Sequence, residues 1–168
     1  MDFHRFKSIG RIYYDPKRPG LKNKTRGAKA RSSVDWWCIV RVDDEIARYY
    51  RWWINRRWWG RTAMQENWLS MPSWGTHISV VRGEEPEDDR KHLWRKYHGV
   101  DLEFEYEHRI RQTNDFDRTR RYTKDGDFFF VDAWCPRLDE IRAELGFPTY
   151  HKFHITVART YDIKIGRI

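Results

Sequence analysis

Six residues recur with the same chemistry in the two halves of this chain: His77-Ile78-Ser79-Val80-Val81-Arg82 and His154-Ile155-Thr156-Val157-Ala158-Arg159. In each, polar and aliphatic residues alternate, the period of two that marks an extended strand with one buried face. Residues i and i+2 of a strand share a face, so His77 projects with Ser79 and His154 with Thr156, while Ile78, Val80, Ile155 and Val157 enter a core. Strict alternation puts Arg82 and Arg159 on the face opposite the histidines, where a structural salt bridge is their simplest use. With seven histidines in the chain, one such triplet could arise by chance. Two that match over six positions in equivalent contexts are a stronger signal.

The flanking sequence repeats as well. An apolar run over 36–42 reads as a strand, Asp43 as an N-cap, and 44–59 as a helix with Ile46, Tyr49, Tyr50, Trp53 and Ile54 on its buried stripe. Later come a strand over 128–134, a helix over 136–145 closed by Gly146, and the second histidine strand over 153–160. Val34-Asp35-Trp36-Trp37-Cys38 matches Val131-Asp132-Ala133-Trp134-Cys135, and Asp44-Glu45-Ile46 matches Asp139-Glu140-Ile141. Both halves therefore run strand, helix, histidine strand. Further strands are expected over 9–15 and 100–110, and a short helix over 86–97 stopping at Gly99. A basic loop covers 17–33, a Trp-rich insertion about 52–67, and a polar loop 112–127. The expected fold is α+β: two pseudo-symmetric lobes of mainly antiparallel sheet with outer helices around a central cleft, forming one bilobal domain over 1–168.

The 33 Lys and Arg outnumber the 25 Asp and Glu, for a formal charge of +8. That surface attracts polyanions, and ten Trp supply flat rings on which bases could stack. No apolar window reaches the length of a membrane span and no signal peptide opens the chain, so a soluble cytoplasmic protein without a membrane partner is expected. Cys38 and Cys135 lie in apolar runs and read as buried reduced thiols. No ligand cluster with metal-site spacing occurs, so neither a metal nor another cofactor is expected.

Two imidazoles beside two hydroxyls suit a phosphodiester. One neutral histidine takes a proton from the attacking hydroxyl, and the other, as imidazolium, gives one to the leaving oxygen. Ser79 and Thr156 would hydrogen-bond the non-bridging oxygens. Extending the second strand backwards puts Lys152 on the His154 face as a phosphate ligand and Tyr150 there for stacking.

These motifs resemble those of the 2H, or LigT-like, phosphoesterase superfamily. More narrowly, Phe6-Lys7-Ser8-Ile9-Gly10-Arg11-Ile12-Tyr13-Tyr14-Asp15-Pro16, Pro72-Ser73-Trp74-Gly75-Thr76-His77, His92-Leu93-Trp94-Arg95-Lys96-Tyr97-His98-Gly99 and the stretch from Gly146-Phe147-Pro148 to Lys152-Phe153-His154 are similar to the phage anti-CBASS phosphodiesterases. The resemblance implies metal-independent cleavage of 3′–5′ linked cyclic di- and trinucleotide immune signals in the infected bacterial cytoplasm. It implies attack by the ribose 2′-hydroxyl, with His77, Ser79, His154 and Thr156 as catalytic residues. An N-terminal tyrosine would stack on a base, Tyr13 or alternatively Tyr14. The basic loop and the Trp-rich insertion depart from the family pattern. No stable complex with a nucleic-acid polymer is expected, and the oligomeric state stays open. Two other readings compete: the same chemistry on RNA or 2′,3′-cyclic phosphate ends, and a non-catalytic protein that sequesters cyclic nucleotides.

Overall fold

The structure is a computed structural model that describes residues 5–16, 35–58, 69–72, 74–112, 128–149 and 152–160. The basic loop over 17–33, the Trp-rich segment beyond residue 58, the polar loop over 113–127 and Tyr150 lie outside the described residues.

Alternation builds most of the strands. In β1 (Arg5–Tyr14), Gly10, Ile12 and Tyr14 are buried while Arg11 on the other face is exposed. In β5 (Asp101–Glu107), Leu102 and Phe104 go in while Asp101 and Glu103 stay out. β2 (Trp37–Arg41) leads to α1 (Asp44–Trp58), whose entry is capped by Asp43, its carboxylate accepting the Glu45 N–H at 2.9 Å. The helix buries Ile46, Ala47, Tyr50 and Ile54. Tyr49 and Trp53, expected on that stripe, are 52% and 39% exposed, so the buried arc is narrower than five residues. β3 (Leu69–Ser70), β4 (His77–Arg82), the short β6 (Arg111–Gln112), β7 (Phe128–Trp134), α2 (Pro136–Glu144) and β8 (His154–Thr160) complete the order. The helix expected over 86–97 is instead a run of turns around one 3-10 turn, Lys91–Leu93. Asp15 holds that run in place, accepting from Trp94 Nε1 at 3.1 Å and from Arg95 at 2.7 Å, and Arg95 takes a left-handed φ of 70°. No helix among the described residues is long and apolar enough to cross a membrane.

The expectation of two lobes with outer helices around a cleft is overturned. The strands form one sheet that closes on itself, in the order β8-β4-β2-β1-β5-β7 and back to β8, a six-stranded antiparallel barrel with β3 and β6 added at its margins. Closure follows from β8, which pairs with β4 through Ile78↔Ile155 and along its other edge with β7. A strand paired on both edges leaves no boundary at which the halves could part, and a closed sheet has no unpaired edge to protect. The helices contribute to a single core: Ile54 of α1 and Leu138 and Ile141 of α2 join Ile78, Val80, Ile155 and Val157 in one apolar cluster.

The internal repeat survives as register. β1 meets β5 at Ser8↔Phe104 and β4 meets β8 at Ile78↔Ile155, and a two-fold operation through both pairs exchanges the halves. It places Arg41, opposite His77, at the position of Asp132, opposite His154. Strand Trp37–Arg41 is therefore the counterpart of 128–132, and Cys38 corresponds to Phe129. The sequence match of Cys38 to Cys135 was out of phase because a shared Val-Asp and Cys outweighed the strand register.

Candidate active site

Because β4 and β8 run antiparallel through Ile78↔Ile155, His77 stands opposite Thr156 and Ser79 opposite His154. All four side chains share one face and are half-buried, while Ile78, Val80, Ile155 and Val157 are fully buried on the other. The four residues expected to act together are brought together, each imidazole across from the other strand's hydroxyl.

Each ring is held by the carbonyl two residues before it. His77 Nδ1 lies 2.8 Å from the Gly75 carbonyl oxygen, so Nδ1–H donates there and Nε2 carries the free lone pair. His154 is hydrogen-bonded in the same way to the backbone of Lys152. The turn that carries Gly75 is fixed from α1, where Asp44 Oδ1 accepts the Thr76 N–H at 3.0 Å and the Thr76 hydroxyl at 2.8 Å. These bonds hold the Asp44 carboxyl below its ordinary range, led by the Thr76 backbone N–H.

Both imidazoles are pushed below the ordinary histidine value, chiefly by burial. For His77 the Gly75 bond opposes this, while the charges of Arg82, His154 and Arg41 add to it. For His154 the Lys152 carbonyl opposes it, Arg82 adds to it, and Asp132 pulls the other way. At neutral pH the free site thus holds two neutral rings. An anion seated between them reverses the balance and favours a proton on one.

Arg82 is not where alternation placed it. Cys38 pairs with Val81 and Ile39 with Ser79, which leaves Val80 unpaired as a bulge. One extra residue shifts the phase of the strand, so Arg82, opposite Trp37, returns to the histidine face. β8 carries the same device: Phe129 pairs with Ala158 and Phe130 with Thr156, leaving Val157 unpaired and setting Arg159 opposite Phe128. The first bulge is held by Arg142 of α2, 3% exposed, whose Nη1 donates to the Val80 carbonyl at 2.6 Å. Two adjacent buried aliphatics, Val80-Val81 and Val157-Ala158, were the sequence sign of this break in alternation.

Among the described side chains, two cations on this face form no ion pair. Across the β1–β5 ladder Arg5 pairs with Glu105, Lys7 with Glu103 and Arg11 with Asp101. Arg41 and Arg82 form no ion pair with a described carboxylate, and Arg41 Nε is buried without a hydrogen-bond partner. Arg41 lies over the Tyr13 ring at 5.4 Å and Arg82 over Trp37 at 5.6 Å, with Trp37 against Trp74. Sequence reasoning missed Arg41, since nothing in a lone strand-terminal arginine announces its neighbours.

The expected binding residues separate. Tyr13, opposite Ile39, which is itself opposite Ser79, shares the histidine face and is half-buried. Tyr14 points into the core at 3% exposure, so it offers no ring to a ligand. Lys152 precedes the first residue of β8 and is exposed; its contact with the site is its backbone.

Fold and site together define a class: a closed antiparallel barrel with a two-histidine, two-hydroxyl face bordered by free guanidinium groups and aromatic rings. Comparison with family models, with curated proteins and with solved structures gives no match. The chemistry of the face is therefore read from its own residues.

Proposed function

We propose that this chain is a 2H-type phosphodiesterase that cleaves 3′–5′ linkages of cyclic di- and trinucleotides without a metal, a role suited to a phage disarming nucleotide immune signalling. The observation that supports it most is the pairing of two half-buried imidazoles with two hydroxyls on one face. That set supplies a base, an acid and donors to the non-bridging oxygens. Arg41 and Arg82 add the charge an anionic diester requires, and Tyr13 and Trp37 offer rings to its bases.

The reaction on this reading starts with one imidazole taking the proton of a ribose 2′-hydroxyl as its oxygen attacks phosphorus. The other protonates the departing 5′ oxygen, leaving a 2′,3′-cyclic phosphate. Mass spectrometry of a panel of cyclic di- and trinucleotides, with and without chelator, tests it. Linear or 2′,3′-cyclic products should persist in chelator, and His77→Ala or His154→Ala should lower turnover by roughly a hundredfold or more. Turnover unchanged in both variants would remove the site. Cleavage confined to RNA ends would move the substrate, and ligand depletion without products would make the protein a sequestering one.

A further inference from the structure

The two-fold register makes the halves of the site nearly equivalent, with matching histidine, hydroxyl, bulge and arginine positions. It fails in charge at one place beside the rings, where Arg41 stands opposite His77 and Asp132 opposite His154. We propose that this break divides the labour: His77, beside Arg41, is the general base and His154, beside Asp132, the general acid. The inference rests on the phosphodiesterase reading above and names the orientation in which a diester is bound.

A base must be neutral before the reaction and an acid protonated, so a cation beside one ring and a carboxylate beside the other sort the two roles. His77 faces Arg41 from β2, Arg82 on its own strand and His154 from β8. The α1 carboxylate Asp44 is hydrogen-bonded to Thr76 and also lies in the field of Arg41. His154 faces Asp132 from β7 and Arg82 from β4, with the uncharged Phe130 ring at 5.1 Å. Asp132 shares its charge with Arg111 of β6 at 2.8 Å, which also fixes its position. Arg82 lowers both rings, so its direction does not distinguish them. The directions already given for the two imidazoles agree: Arg41 adds to the lowering at His77, and Asp132 opposes it at His154.

In the step itself the 2′ oxygen bonds to phosphorus and its proton passes to His77 Nε2. The bond from phosphorus to the 5′ oxygen breaks, and that oxygen takes the proton of His154. The phosphodiester keeps one negative charge throughout, and solvent returns the proton from His77 to His154. Asp132 is a positioning residue that tunes His154 without touching the reacting atoms, and Arg41 tunes His77 while also adding charge toward the diester.

Leaving-group dependence tests the assignment. Cyclic 3′–5′ diadenylate expels an alkoxide that must be protonated, whereas adenosine 3′-(4-nitrophenyl phosphate) expels a stable phenolate and needs only the base. His154→Ala should lose roughly 10²–10⁴-fold on the first probe and less than about tenfold on the second, while His77→Ala loses heavily on both. His154→Asn provides a second variant if the alanine form does not fold. The pH profile gives a readout that a merely structural role would not move: Asp132→Asn should shift the alkaline limb to lower pH, and Arg41→Met the acid limb to higher pH. Rescue of His77→Ala in place of His154→Ala, equal losses on both probes, or immobile limbs would overturn the assignment. A wild-type protein inactive on both probes would instead sink the phosphodiesterase reading.

Discussion

Replacing Arg142 by Met tests whether the bulge in β4 is built by a side chain of the other half. Arg142 is 3% exposed and donates to Val80 O at 2.6 Å and to Pro148 O at 2.8 Å, with Glu84 at 3.5 Å. Pro148 is exposed, so water can replace the guanidinium there, and Glu84 is 43% exposed, so no buried charge is stranded. The Val80 carbonyl is different, because a bulged residue has no ladder partner and Val80 is buried. Losing a charged hydrogen bond and leaving a buried acceptor unpaired costs about 2–4 kcal/mol, reduced somewhat because Met has no charge to desolvate. Urea unfolding followed by tryptophan fluorescence should show the midpoint falling with the slope unchanged. Without its anchor the bulge no longer fixes Arg82 on the histidine face, so KM should rise more than kcat falls. A loss below about 0.5 kcal/mol, within the range of ordinary surface substitutions, would refute the account.

Stability should fall in acid. Both histidines have folded values below the unfolded value near 6.5, so the unfolded chain binds more protons and their contribution, full above that pH, is lost as pH drops below it. Urea midpoints at pH 7.5 and 5.5 check this; the drop should shrink in His77→Asn/His154→Asn, and an equal drop would contradict it. Tyr14→Phe should leave turnover unaltered and stability within about 1 kcal/mol, because among the described residues the buried hydroxyl has only the weakly bonding Cys38 thiol beside it. Tyr13→Ala should raise KM, and the reverse pattern would return stacking to Tyr14. Gly10→Ala places a Cβ 2.4 Å from Val40 Cγ1 and 3.0 Å from Arg41 O, so thermal denaturation should report a loss of about 1–3 kcal/mol.

The strands were legible because their signals are local. Alternation marked β5 and the histidine strands, Pro16 marked the end of β1 but not its start at Arg5, Asp43 marked the start of α1, and Gly146, with φ at 83°, the end of α2. Closure was not legible. It depends on β8 finding β4 and β7 together, a long-range choice to which Ile155 and Val131 contribute only as generic aliphatics. That His77, Ser79, His154 and Thr156 share one face followed from the motifs, whereas Tyr13 was named from resemblance alone. Arg82 was put on the wrong face because one unpaired valine inverts the alternation, and Asp132 and Arg41 emerged only when strand partners were known.

Closing the ring with β8 also sets when the protein becomes competent. During synthesis the first imidazole leaves the ribosome some eighty residues ahead of the second, and until residues 154–160 dock, β4 and β7 each expose a bare margin. Long-range contacts such as Ile78↔Ile155 form slowly, and those margins invite mispairing while they wait. A nascent or clipped molecule lacking this segment thus keeps an open sheet and only half of the four-residue histidine and hydroxyl face.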